Sequence, residues 1–549
     1  MKAFFLAGLA AAVPVTAAPS TFWGNDNALS TYVTARAADA LGDPARAAQL
    51  FANLSRDRPE DLSLRKRAIV GAIAAGDMKL ALQLSRGMPI AQTPLDLRFL
   101  LVANELRNGN DKDAAGILRT KQGIIDSSFI APFVEAWSLA ERHNPKALDA
   151  LALVTPGSAL ASQLPEQRAL IYLKLKQPTN AAPFAKIALA TAGGRADRLR
   201  LALADGFLAA GDLTQALAMV EGDGPALAEG RARIAAGKPT GQAIDNGRKS
   251  FAELMIGLSL ALGRLQDRGL PIAFAQIGRY ANPENSAGAI LLALMLEDDD
   301  RPTDALDILH GIDPADPFAS QAEDAEVRML IDSGRQPEAL RRAQDIVAAR
   351  PGPDAFARLG VVHVEMKNYA AASEAYGRAI QLSETAASSD EPWTLRLYRA
   401  SALEESGKWE DAKAELALAL KAAPDNPMLL NFLGYGKLER GEDLDAAEAM
   451  VRRASALRPD DASITDSLGW AEYKRGRLPQ AIGTLQRAAQ AEPSQAEIQE
   501  HLGDALFTAG RRYEARFAWR AALVNADAAD KPRIQSKIDA GLTASTEAR

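Results

Sequence analysis

Side chains able to do covalent or metal chemistry are scarce in this chain. It has no cysteine and only four histidines: His143, His310, His363 and His501. Without a thiolate there is no cysteine nucleophile, no disulfide and no zinc–thiolate site. No histidine has another four residues away, so no helix can present the paired imidazoles of a His-Glu-x-x-His zinc site. Each is expected to be an ordinary surface or packing residue. The phosphate-cradling Gly-x4-Gly-Lys-Ser/Thr loop and the Gly-x-Ser-x-Gly nucleophile turn are both absent. Gly193 and Gly194 follow no predicted strand and lack a third glycine, so they make no dinucleotide loop. Asp298, Asp299 and Asp300 lack the further oxygen ligands of a calcium loop and read as a solvated turn between helices. No cofactor, metal or catalytic residue is expected. The 70 Asp and Glu residues leave a site of scattered carboxylates open in principle, but no spacing points to one.

What positions such residues is bounded by length and composition. At 549 residues and about 150 per domain, three or four compact domains would be usual. The composition fits that poorly. Apolar residues reach 48%, enough for extended cores, yet aromatics are only 6% and alanine is abundant. A net charge of -7 argues against a general nucleic-acid binder, which would normally be basic. The chain opens Met-Lys, runs apolar from Ala3 to Val15, and reaches small residues at Thr16, Ala17 and Ala18. This fits a secretory signal peptide over residues 1–17, cleaved after Val15-Thr16-Ala17. It is too short to span a bilayer, which takes about 20 apolar residues, and no later segment is a transmembrane candidate.

A repeat explains the composition better than compact domains do. Residues 431–435 read Asn-Phe-Leu-Gly-Tyr, 466–470 Asp-Ser-Leu-Gly-Trp and 500–504 Glu-His-Leu-Gly-Asp. Their glycines, 434, 469 and 503, are 35 and 34 residues apart. After each comes an alanine (Ala447, Ala481, Ala515), then a bulky residue (Val451, Leu485, Trp519), then another alanine (Ala454, Ala488, Ala522). Leu-Gly marks one face of a first helix. Ala, bulky and Ala at i, i+4 and i+7 mark one face of a second. Turn glycines at 441, 476 and 510 separate the two, and Pro459 and Pro493 close the first two units. Such a hairpin cannot bury its own apolar face and must stack on a neighbour.

This pattern resembles the tetratricopeptide repeat family, with its 34-residue Leu-Gly, Ala-x3-aromatic, Pro spacing. Carried upstream, the glycine-equivalent position falls at Ala400, Gly360, Val327 and Ala293, and at Ala35, Ile69, Ala103 and Ala136. Looser units lie near Ala169, Leu203 and Leu258. The fold expected is all-α: an α-solenoid of about thirteen or fourteen helical hairpins in a right-handed superhelix. A polar connector is expected at 383–390. Residues 221–250, with six glycines between 221 and 247 and no helical period, are expected to be a linker or distorted joint, the alternative being a poorly packed hairpin in a continuous array. It would divide an N-terminal array (18–220) from a C-terminal array (251–525), with a capping helix and tail at 526–549.

The resemblance implies that the first helices line a concave groove. In the family's frame Asn431, Tyr435, Asp466, Trp470, Glu500 and Asp504 face it, joined one turn on by Tyr473, Lys474 and Phe507. Packing alone would not call for Asp466 or Asn431 there, so these nine residues are expected to form a partner-binding ladder. Their acidic and aromatic character disfavours a carboxylate clamp and favours a peptide with basic or apolar side chains. On the strings Asp466-Ser-Leu-Gly-Trp470, His501-Leu-Gly-Asp504 and Glu514-Ala-Arg-Phe-Ala-Trp519, residues 251–522 further resemble bacterial cell-envelope tetratricopeptide proteins. One branch comprises lipoprotein adaptors that bind a periplasmic carboxyl-terminal processing protease and deliver cell-wall hydrolases to it. This chain lacks that branch's lipidated cysteine. The leading reading is a non-enzymatic, periplasmic protein-interaction scaffold. A cytosolic assembly factor or co-chaperone, and an enzyme with a carboxylate-based site, are the alternatives.

Overall fold

The computed structural model describes residues 26–120, 127–222, 224–263, 268–385 and 393–543. The leader at 1–17 lies outside them, as do residues 386–390 of the expected connector. The chain divides into two compact units, Met1–Met329 and Leu330–Arg549. In order the helices are α1 (Asp26–Ala40), α2 (Pro44–Asp57), α3 (Leu62–Ala74), α4 (Met78–Ser85), α5 (Leu95–Arg107), α6 (Asp111–Arg119), α7 (Ala131–Glu141), α8 (Ala147–Leu151), α9 (Leu164–Lys174), α10 (Pro178–Thr191), α11 (Ala196–Ala209), α12 (Leu213–Met219), α13 (Pro225–Ala235), α14 (Gly247–Leu262), α15 (Gly269–Ala281), α16 (Ser286–Glu297) and α17 (Pro302–His310). α18 (Ala319–Asp332) contains the division. There follow α19 (Gln336–Ala349), α20 (Pro353–Glu365), α21 (Tyr369–Thr385), α22 (Trp393–Glu405), α23 (Trp409–Ala422), α24 (Pro427–Arg440), α25 (Leu444–Leu457), α26 (Ala462–Lys474), α27 (Leu478–Ala491), α28 (Ala496–Thr508), α29 (Arg512–Asn525) and α30 (Lys531–Ala540).

Of these thirty described helices, α13 and α30 stand alone and the other twenty-eight make fourteen consecutive pairs. The fourteen glycine-equivalent positions, from Ala35 to Gly503, fall one on each first helix, and all are buried. The spacing works because one contact recurs. A Cβ on Gly469 would sit 2.7 Å from Leu485, and one on Gly503 would sit 2.3 Å from the Trp519 ring. The bulky residue of the second helix thus lies directly on the glycine of the first. Val451, Leu485 and Trp519 are fully buried, as are the alanines flanking them. Burying each such side chain contributes about 1.5–3 kcal/mol. The hairpin turn needs a positive φ, which Gly476 (73°) and Gly510 (80°) adopt without a Cβ clash. Asn426 and Asp461 cap α24 and α26 by accepting from backbone N–H groups of the first turn.

The first unit departs from the expected division. Residues 221–250 are not a linker. They hold α13, and the loop after it is tied down from inside. The Asp205 carboxylate accepts from Thr240 N (2.6 Å), Thr240 Oγ1 (2.9 Å) and Gln242 N (2.8 Å), with all three residues buried. The glycines permit this irregular path rather than mark a joint. Nor do α14 and α15 begin a second array. They fold back against α3, α5 and α7, the first helices of the N-terminal hairpins. Phe99 meets Phe274 (5.3 Å) and Phe251 (6.5 Å), the Tyr280 hydroxyl donates to Asn104, and Gly247 N donates to Glu141. One core runs from Ala48 to Phe318 across the expected boundary. The sequence does carry a sign of this. Residues 271–278 read Pro-Ile-Ala-Phe-Ala-Gln-Ile-Gly, and a helix apolar on nearly all sides has to be enclosed. The groove-forming face of α3, α5 and α7 is therefore filled by the chain itself.

In the second unit α30 packs on α29 and closes the stack, burying Ile534 and Ile538, as a terminal cap must. Among the described residues no helix is long and apolar enough to cross a membrane.

Candidate functional site

The nine ladder residues come from α24, α26 and α28, successive first helices of the second unit. They do not stand open to solvent as a row of unsatisfied groups. Trp470 is fully buried. Its ring stacks between Tyr473 (4.7 Å, 16°) and His501 (4.0 Å, 15°), its indole N–H donates to Glu439, and the Lys474 ammonium lies 4.7 Å from the ring centre. Asp466 is buried, with Oδ2 2.8 Å from His501 Nδ1. Glu500 and Asp504 are buried too, and both receive the ammonium of Lys537 from α30, at 2.6 Å to Glu500 and 2.8 and 2.7 Å to the two Asp504 oxygens. Arg533 also reaches Glu500, and the Trp519 indole donates to Asp504 (2.8 Å).

The expectation that packing needs no carboxylate here is thereby corrected for Asp466. It is the counter-ion of a histidine that had been expected to be ordinary. His501 is fully enclosed, so it could not remain charged without one. Only four of the nine face outward in part besides Asn431: Tyr435, Tyr473, Lys474 and Phe507 are half-buried. Tyr435 donates from its hydroxyl to Glu497 (2.8 Å). Tyr473 Oη lies 3.2 Å from Thr508 Oγ1, and Phe507 packs against Trp519 at 5.4 Å. Asn431 is half-buried, and its side-chain oxygen has no hydrogen-bond partner. The face is a rim of anchored aromatics over a buried layer of acids and their cations.

The missed partners had a signal. Glu439 and Trp470 are 31 residues apart, Asp466 and His501 are 35, and Glu500 and Lys537 are 37. With a repeat near 34, such pairs lie side by side on neighbouring first helices. Searching four residues away misses them.

Burial alone would lower the His501 pKa, but the Asp466 carboxylate overrides it and pushes it up to about 9, with Glu497 and Asp504 adding to the effect. A folded pKa above the unfolded value of about 6.5 stabilises the fold fully below pH 6.5 and is lost as pH rises through 9. The second unit should lose about 3 kcal/mol across that window. Tyr435, raised by burial and by Glu497, titrates above it. Urea unfolding at pH 6, 7.5 and 9 should show the loss in the wild type and a flat profile in His501→Gln.

The first unit has its own buried polar cluster, which sequence reasoning did not find. Glu253 binds Arg195 (3.1 Å) and Arg198 (3.0 Å), and Arg195 also binds Glu166 (3.0 Å). Asn285 donates to Glu253 (3.0 Å). Burial raises the Glu166 pKa, offset in part by Arg195. The carboxylates are engaged by guanidinium groups, so the cluster fastens α9, α11 and α14 together. The Asp298–Asp300 run lies in the turn between α16 and α17, with Asp298 and Asp300 exposed. Among the described residues no three His, Asp or Glu side chains converge as metal ligands.

Residues 358–427, 433–496 and 467–531 match the tetratricopeptide repeat family. No curated protein matches. Similar solved structures include a tetratricopeptide repeat protein from Parabacteroides merdae, at TM-score 0.38 and 13% identity over 46% of this chain and 97% of that one. Yeast Tom70 aligns at TM-score 0.31 and 12% identity over 94% and 95%. Pseudomonas aeruginosa pilF aligns at TM-score 0.29 and 18% identity over 34% and 85%.

Proposed function

We propose, from the premise that residues 358–531 are tetratricopeptide repeats, that the chain is a non-enzymatic scaffold that holds protein partners on the first-helix face of its C-terminal repeats. The observation that carries this is the rim of Tyr435, Tyr473 and Phe507. These are three half-exposed rings on three successive first helices, each fixed by a contact from below or beside. Rigid amphipathic rings lose little entropy on binding and are common interface anchors. The exposed Glu497 beside Tyr435 favours a partner segment with basic or apolar side chains. The corresponding face of the first unit is covered by α14 and α15, which supports partner binding at the second unit rather than the first.

The leader-like first residues support placement in the bacterial envelope, outside the cytoplasm. Within that setting we assign the chain the role of adaptor to a periplasmic processing protease and its cell-wall hydrolase substrates, resting on the envelope-type strings at 466–470 and 501–504. Tyr435→Ala with Tyr473→Ala should leave helicity and melting nearly unchanged while weakening partner capture from periplasmic extract about thirtyfold or more, the loss two hot-spot truncations give. Recovery of neither a protease nor a hydrolase by the wild type would remove the adaptor role. Sequencing the mature protein should find a new N-terminus at Ala18, and Met1 retained would remove export.

A further inference from the structure

A second surface lies outside the first-helix face and does not depend on it. On α29 the side chains of Tyr513, Arg516, Phe517, Arg520 and Val524 follow the spacing i, i+3, i+4, i+7, i+11, so they form one stripe. That stripe faces solvent: Tyr513 is 76% exposed, Phe517 52% and Val524 77%. The two rings meet edge to face at 4.9 Å. Beside them a shallow depression of about 410 Å³ lies between α28 and α29, lined by Leu502, Leu506 and Ala518, by the rings of Tyr513 and Phe517, and by the polar Gln499 and Glu514. Isolated exposed leucines are ordinary, but two large aromatics beside such a depression mark an interaction site.

The charge around the depression says what fits it. Arg511 is satisfied by Glu514, and Arg512 lies over Phe507. Arg520 lies over Phe517 (5.9 Å), and among the described residues neither Arg516 nor Arg520 has a carboxylate partner. In a chain of net charge -7, this stripe is locally cationic. We infer that the α28–α29 depression takes an acidic peptide segment, with one bulky apolar side chain seated over Leu502 and Leu506 and flanking carboxylates meeting Arg516 and Arg520.

The test uses the full-length protein and fluorescein-labelled peptides with a central phenylalanine flanked by aspartates, serines or lysines, read by anisotropy. Binding should rank aspartate over serine over lysine and weaken with salt. Phe517→Ser with Tyr513→Ser should weaken the aspartate peptide about thirtyfold with unchanged circular dichroism. Arg516→Glu with Arg520→Glu should abolish the preference for aspartate. No binding by any peptide, or equal binding of aspartate and lysine peptides, overturns the inference. So does pelleting with phosphatidylserine vesicles that the Phe517/Tyr513 variant loses while peptides fail to bind, which would make the stripe a lipid contact. A wild-type dimer in sedimentation that the same variant converts to monomer would make it a self-contact.

Discussion

Replacing Lys537 with methionine should cost the second unit about 3–5 kcal/mol, the usual penalty for removing one member of a buried ion group. The ammonium is fully buried, and it is shared by Glu500 and Asp504. Without it, Asp504 loses its ammonium partner while keeping the Trp519 indole, and Glu500 keeps Arg533. Two carboxylates would then stay enclosed without the cation they share. Methionine matches the aliphatic stem of lysine, so lost packing is a minor part of the effect. Guanidinium unfolding followed by tryptophan fluorescence reads the result, since Trp519 lies at the site. The control is Lys537→Met combined with Glu500→Gln and Asp504→Asn, which removes the orphaned charges and should recover most of the loss. A single-variant loss under about 1 kcal/mol would mean that the group is hydrated like a surface pair.

Trp470→Ala should cost about 3–5 kcal/mol, the range for emptying a buried aromatic site. The ring is the spacer between Tyr473 and His501, and its loss also takes the indole donor from Glu439. Because each hairpin rests mainly on its neighbours, loosening should spread along α26 and α28 first, with faster amide exchange there than in α20 or α22. Tyr473→Ala should cost far less, since its ring is half-exposed. The two neighbours therefore separate core from rim. Equal, small stability losses in both would put Trp470 back among the surface anchors.

The parts of the fold that were legible in sequence are those that repeat. Gly469 against Leu485 and Gly503 against Trp519 are contacts within one hairpin, so a fixed spacing encodes them. The same spacing carried the hairpin count through the looser N-terminal units, where Ile69 and Leu203 stand in for glycine and are equally buried. What the spacing could not carry is packing across many repeats. Tyr280 meets Asn104 from 176 residues away, and no local pattern announces that α15 returns to α5. The glycines at 221–250 read as a joint because glycine marks irregular backbone, whether that backbone is free or, as here, held by Asp205. At the candidate site, the helix face was legible and its exposure was not. The partners of Asp466 and Asp504 lie one repeat along the chain, and polar residues on a first helix can serve a neighbouring hairpin as readily as a ligand.

On the proposed function, partners meet the second unit's first-helix rim, while the first unit's equivalent face is closed by its own chain. Site-specific photo-crosslinking in cells tests it directly, with a photoreactive residue placed singly at Tyr473, at Tyr435 and, in the first unit, at Asn104 beneath Tyr280. The expected result is discrete protein adducts from 473 and 435 and only intramolecular crosslinks from 104. Adducts to other proteins from 104, with none from 473 or 435, would contradict it.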